Sequence, residues 1–158
     1  MKKALLTVFL CVSLSLTGLT ACAAENTANK DITIVLQIRN PDMTVNGTQK
    51  PIDDSGTVPV IENNRTLLPI RAIIEELGGN VEWDGDTQTV LLAYNDDIVT
   101  LAINSRTAFL NSDKSELDTA PMIINNRTML PIRFIAESFK FNVDWQQDEQ
   151  KITITNTN

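Results

Sequence analysis

Ile61-Glu62-Asn63-Asn64-Arg65-Thr66-Leu67-Leu68-Pro69-Ile70-Arg71 returns, 62 positions on (123 − 61 = 62), as Ile123-Ile124-Asn125-Asn126-Arg127-Thr128-Met129-Leu130-Pro131-Ile132-Arg133. A match of this length marks an internal repeat, and one unit of structure written twice is its plainest cause. Each copy reads as a strand, a turn at the paired asparagines, a second strand and a helix. Asparagine tolerates the positive φ that a tight turn demands. Pro69 and Pro131 suit the first helical position, where the missing N–H costs nothing.

The match runs on downstream, Glu75 with Glu137, Asn80-Val81 with Asn142-Val143 and Trp83 with Trp145. Ile70, Ile73, Ile74 and Leu77 fall at i, i+3, i+4, i+7, as do Ile132, Ile135, Ala136 and Phe139. That spacing is a core-facing helical stripe. Gly78-Gly79 is a helix stop. Its counterpart Lys140-Phe141 should give a poorer C-cap. Behind each helix a hairpin is expected, Val81 to Tyr94 through Asp84-Gly85-Asp86, and Val143 to Ile154 through Gln146 to Glu149. Upstream the register shifts by three, pairing Asn46 with Asn111 and Asp53 with Asp118. Ile32 to Ile38 alternates as a half-buried strand, and Asn46-Gly47 is a hairpin turn.

A helix of two to three turns is marginal alone and needs a sheet to cover its stripe. The expected class is therefore α+β: two tandem repeats, residues 31–95 and 96–158, each a small antiparallel sheet packed around one short helix. Units of about 60 residues sit near the lower limit for independent folding, so the two should pack together.

The N-terminus reads as a targeting segment. Lys2-Lys3, an uncharged apolar run to Leu19 and small residues to Ala24 form a secretory signal peptide over residues 1–22, with 23–30 a short linker. Ala21-Cys22-Ala23 fits ordinary processing. Leu19-Thr20-Ala21-Cys22 resembles the bacterial lipobox, in which Cys22 carries lipid. The expected location is outside the cell, lipid-anchored or secreted, with membrane contact only through that anchor. Cys11 lies within the apolar run and no cysteine follows Cys22, so the exported part has no disulfide.

Composition narrows the chemistry. The 158 residues hold 13 Lys+Arg, 20 Asp+Glu and no histidine, for a formal charge of −7. Without Lys2 and Lys3 there are 11 basic against 20 acidic residues, or −9. The acidic balance argues against a nucleic-acid partner. The absence of histidine removes histidine bases, triads and the usual zinc and copper ligand sets. No Gly-x-Ser-x-Gly elbow is present. Asp84-Gly85-Asp86 lacks the further oxygens of a calcium loop.

The Asn-Asn-Arg-Thr-Leu-Leu-Pro-Ile-Arg stretch, the helix end Leu77-Gly78-Gly79 and the turn Val81-Glu82-Trp83-Asp84 together resemble the copper amine oxidase N-terminal-like, or stalk, domain family. The resemblance covers nearly all of residues 31–155. It implies a small sheet wrapped on one helix, in exported modules of Gram-positive and related bacteria. It also implies that the module itself does not carry the oxidase chemistry. The residues agree: the oxidase core needs three histidines, and its cofactor tyrosine lies in Asn-Tyr-Asp/Glu. Tyr94 sits in Ala93-Tyr94-Asn95-Asp96 instead.

Six residues stand out as candidate surface-binding groups. Arg71 and Arg133 each have a Glu four positions on, which makes either a surface ion pair or an anion-binding guanidinium. Arg65 and Arg127, beside the Asn turns, can clamp neighbouring carboxylates. Trp83 and Trp145 can stack on sugar rings, but as large residues at matched strand positions they are expected in or half in the core. No catalytic, metal or cofactor residue is assigned. The expected role is a non-catalytic envelope module, for binding or spacing, with wall polymer or an envelope protein as partner. The alternatives are a secreted adaptor or inhibitor acting on a partner protein, and a small acid-pair hydrolase.

Overall fold

The computed structural model describes residues 31–156. The expected signal peptide with Cys22 and the expected linker to residue 30 lie outside the described residues.

The chain runs β1 (Thr33–Gln37), β2 (Asp42–Val45), β3 (Thr48–Pro51), β4 (Val60–Glu62), β5 (Arg65–Pro69), α1 (Ile70–Glu76), β6 (Asn80–Asp84) and β7 (Thr89–Tyr94). It continues β8 (Asp97–Ala102), β9 (Thr107–Leu110), β10 (Asp113–Glu116), β11 (Met122–Ile124), β12 (Arg127–Pro131), α2 (Ile132–Phe139), β13 (Phe141–Gln146) and β14 (Lys151–Asn156). Antiparallel strands dominate, with two short helices, within the expected α+β class.

The strands form three sheets, ordered β13-β14-β1-β2-β3, β10-β9-β8-β7-β6 and β11-β12-β5-β4. The expected arrangement of one sheet per repeat is corrected here, because every sheet draws strands from both halves. β1 pairs with β14, the last strand, Ile34 opposite Ile154. β7 pairs with β8 across Asn95-Asp96, so the expected boundary at 95/96 is the loop of a hairpin. In the four-stranded sheet β5 pairs with β12, and Leu68 faces Leu130, its own counterpart in the repeat. Leu67, Leu68, Met129 and Leu130 have no exposed surface.

The turns follow the asparagines. Asn63 and Asn64 have φ of 48° and 59°, Asn125 and Asn126 of 50° and 61°. Both central residues with positive φ make the two-residue hairpin loop whose twist matches the strands. Asn46 and Asn111 each accept a backbone N–H with the side-chain oxygen, from Thr33 and Ile98.

Pro69 and Pro131 sit one residue earlier than expected. Each ends its strand in extended geometry as the N-cap, and the helices begin at Ile70 and Ile132. Pro69 still has a ladder partner, Met129. The helix ends differ as the sequences differ. At α1, Gly78 has φ of 90°, Gly79 N–H donates to the Ile74 carbonyl and Gly78 N–H to that of Glu75. This is the Schellman pair of bonds. At α2 the left-handed residue is Lys140 (φ 58°), with the single bond from its N–H to the Ala136 carbonyl. A Cβ on Gly79 would lie 2.6 Å from the Ala93 carbonyl oxygen, so α1 closes tightly on β7. At the matching place beyond α2 stands Phe141, the first residue of β13. It packs with Tyr94 and Phe139 at ring centroid distances of 4.8 and 5.7 Å.

Two outcomes follow. Lys140→Gly relieves a left-handed β-carbon and is expected to raise unfolding free energy by about 0.5–1 kcal/mol in urea titration. A chain stopped at Asn95 deprives β1 of β14 and β5 of β12, and is expected to show no cooperative thermal transition by circular dichroism.

Candidate functional site

Arg65 and Arg127 sit at the starts of β5 and β12, just past the Asn turns, and each reaches into the other half of the chain. Arg65 Nε donates to Asp118 Oδ2 at 2.8 Å. Arg127 Nε donates to Asp53 Oδ2 at 3.0 Å and its Nη2 to Asp54 Oδ1 at 2.5 Å. Asp53 and Asp118 are repeat counterparts, so the two clamps are reciprocal. They are unequal in depth. The Asp53 side chain is 11% exposed and that of Asp118 50%.

Burial alone would raise the Asp53 carboxyl. Hydrogen bonds from the Thr57 and Ser55 backbone N–H groups and the Arg127 charge outweigh it and hold the group below its ordinary value. The buried Thr57 hydroxyl also favours the ionised carboxylate without meeting hydrogen-bond geometry. A general acid needs the opposite shift, so Asp53 is unsuited to the acid half of an acid-pair hydrolase.

The six candidate residues gather into two grooves. Arg71, Trp83 and Arg127 line one of about 630 Å³. Arg65, Arg133 and Trp145 line another of about 800 Å³. Each groove has a helix and the hairpin behind it from one half, and the Asn-Asn-Arg-Thr turn from the other. Asn126 and Ile123 face the first groove, and Asn64 and Ile61 the second. Sequence reading treated these asparagines as turn formers only. Nothing in the local pattern gives their second role, because the groove walls meet only through the pairing of β5 with β12.

Arg71 makes the expected pair with Glu75 at 3.5 Å, and its Nη1 also donates to the Val81 carbonyl. Arg133 does not mirror it. The ion pair it makes is with Asp118, at 3.9 Å, and its side chain is 67% exposed. The expected core position of Trp83 is also corrected. It shares a sheet face with buried Val81 and lies opposite buried Val90, yet it is 40% exposed near the end of edge strand β6. Trp145 is half-buried against the core, and its Nε1 donates to Gln147 Oε1 at 2.7 Å.

The Asp84-Gly85-Asp86 segment is a turn. Asp84 accepts the Thr87 hydroxyl at 2.7 Å and the Asp86 N–H at 2.9 Å. These bonds hold its carboxyl below the ordinary value. Among the described residues no three His, Cys, Asp or Glu side chains converge to hold a metal.

The profile of the copper amine oxidase N-terminal domain matches residues 54–154. The chain belongs to that family. The match is narrower than the resemblance anticipated from sequence, for it begins beyond β3. Both grooves lie largely within the family segment, with Met43 and Lys50 to Asp53 added to the wall of the first from outside it. No curated protein matches the chain.

Replacing Asp53 by Asn is expected to cost about 1–3 kcal/mol at neutral pH, since it breaks a charge-assisted bond at a covered carboxylate. Asp118→Asn, at a half-exposed one, is expected to cost about 1 kcal/mol or less. A carboxyl held low in the fold contributes fully above its unfolded value and loses that contribution as pH falls through the folded one. The stability gap between the native protein and D53N, read by urea unfolding, therefore holds from pH 7 to about 5 and shrinks below about 4. A gap that widens in acid would contradict the clamp.

Proposed function

We propose that the chain is a non-catalytic binding module of the bacterial cell envelope, exported by its N-terminal segment and either released or lipid-anchored at Cys22. The observation that carries this reading is the pair of grooves. Each offers an indole, two guanidiniums and an asparagine turn drawn from both halves of the chain. Such groups recognise a ligand without transforming it: indole faces cover apolar rings, guanidiniums take anions, and amides match hydroxyls. The absence of histidine from the whole chain supports the same reading. The chain is two copies of one ancestral unit that exchange strands, which accounts for the reciprocal arginine clamps. Wall polymer is the proposed ligand class.

A secreted adaptor acting on a partner protein is the second reading. Ile98 and Phe109 are 46% and 42% exposed. Phe109 lies opposite Thr100, two residues from Ile98, so both side chains share one face of the sheet. An apolar outer face of this kind favours a protein partner.

Co-sedimentation of the purified protein with isolated Gram-positive walls tests the proposal. Saturable pelleting on walls stripped of protein is expected. Pelleting only when wall proteins are present would favour the adaptor, and no pelleting under any condition would refute the envelope-binding reading. Intact mass of the native protein reads the anchor: a diacylated Cys22 N-terminus supports lipidation, and a start at Ala24 refutes it.

A further inference from the structure

The two grooves match in position and differ in charge. The first is walled by three basic side chains, Lys50, Arg71 and Arg127, against four acidic ones, Asp53, Asp54, Glu75 and Glu76. Its cations are matched: Arg127 holds two aspartates, Arg71 faces Glu75, and Lys50 pairs with Glu76. The second is walled by Arg65, Arg133 and Lys140 against Glu137 alone. Arg65 and Arg133 share a single carboxylate, Asp118.

The repeat register shows how the difference arose. Thr119 stands where the first half has Asp54, and Ser138 stands where it has Glu76. Lys140 replaces Gly78 and keeps a left-handed backbone, which a β-carbon makes costly. Ser115 stands where the first half has Lys50, so Lys140 only restores the basic count at three, and the positive shift comes from the lining acids, which fall from four to one, on a protein whose formal charge is −7. A local cationic groove on an anionic surface attracts an anion that the rest of the molecule repels.

The other lining groups narrow the ligand. Trp145 is fixed by its bond to Gln147 and offers a rigid indole wall. Asn64, Gln147 and Thr66 supply amides and a hydroxyl. Ile61 and Val143, 45% and 37% exposed, supply apolar edges. Carboxylates for the guanidiniums, hydroxyls for the amides and C–H faces for the indole occur together in an acidic saccharide. We infer that the groove between α2, β13 and the Asn63-Asn64 turn binds a carboxylate-bearing glycan strand, with Arg65 and Arg133 on the carboxylates and Trp145 against a ring. The first groove, neutralised by its own acids, does not share this preference. This assignment deepens the envelope-binding reading and rests on it.

The test uses the full protein carrying Trp83→Phe, so that Trp145 is its single indole, titrated with hyaluronan hexasaccharide at low salt. A saturable change in Trp145 fluorescence is expected. Arg133→Gln should weaken it about tenfold or more, whereas Lys114→Gln, the same charge change on β10 away from the groove, should leave it within about twofold. Salt at about 0.5 M should weaken binding by screening, and neutral chitohexaose should bind at least about tenfold more weakly. No saturable change up to about 10 mM would overturn the inference. So would equal effects of R133Q and K114Q, equal binding of chitohexaose, or equal binding of poly-glutamate, which would make the groove an unselective carboxylate site. Wall pelleting that survives R133Q overturns the groove assignment and leaves the envelope reading standing. Hexasaccharide binding without wall pelleting does the reverse.

Discussion

Leu68 of β5 lies opposite Leu130 of β12, and this short antiparallel pair is what the remaining structure is built on. Three aligned residues on each side bring the halves together at a point where residue meets counterpart. Both helices spring directly from it, since Pro69 and Pro131 end the paired strands and Ile70 and Ile132 open α1 and α2. Helices of seven and eight residues cannot hold themselves in water. They are stable here because the buried stripe of each is covered by strands, and α1 packs on β12 and α2 on β5, across the pair. One five-stranded sheet completes the enclosure with strands from both ends of the described chain, and the other with the consecutive strands β6 to β10 from its middle.

The arginine clamps show how that pairing reaches the surface. Setting β5 against β12 carries each Asn-Arg turn over the opposite half, so Arg65 finds Asp118 and Arg127 finds Asp53. One clamp is deep and doubly satisfied, and the other is shallow and shares its aspartate with Arg133. Two sites built by the same rule can then diverge in charge without disturbing the core. The substitutions that distinguish them change residues around the groove walls, whereas the leucines between them are retained or exchanged only for methionine.

Much of the fold was legible because its determinants are local. The positive-φ asparagines, the i, i+3, i+4, i+7 stripes and the glycine stop each act within a few residues, and each formed as their chemistry predicts. Even the weaker stop at Lys140 follows from its side chain. The candidate site was legible as a set of residues and illegible as an arrangement. Arg133 was expected either to pair within its helix with Glu137 or to serve as an anion-binding guanidinium, and its ion pair is with Asp118. Trp83 was expected in or half in the core and is 40% exposed along the first groove, where bulk and hydrophobicity alone do not secure burial.

By itself the sequence determined the repeat, the turns, the helical faces and the absence of histidine chemistry, because composition and short-range periodicity need no knowledge of partners. Tertiary structure decided which half covers which helix, that no sheet belongs to one repeat, and that six scattered residues meet as two trios. Strand pairing is the physical reason. An edge strand exposes the same N–H and C=O groups whichever strand it will accept. The choice of β14 for β1 and of β12 for β5 is made by the packing of the whole chain.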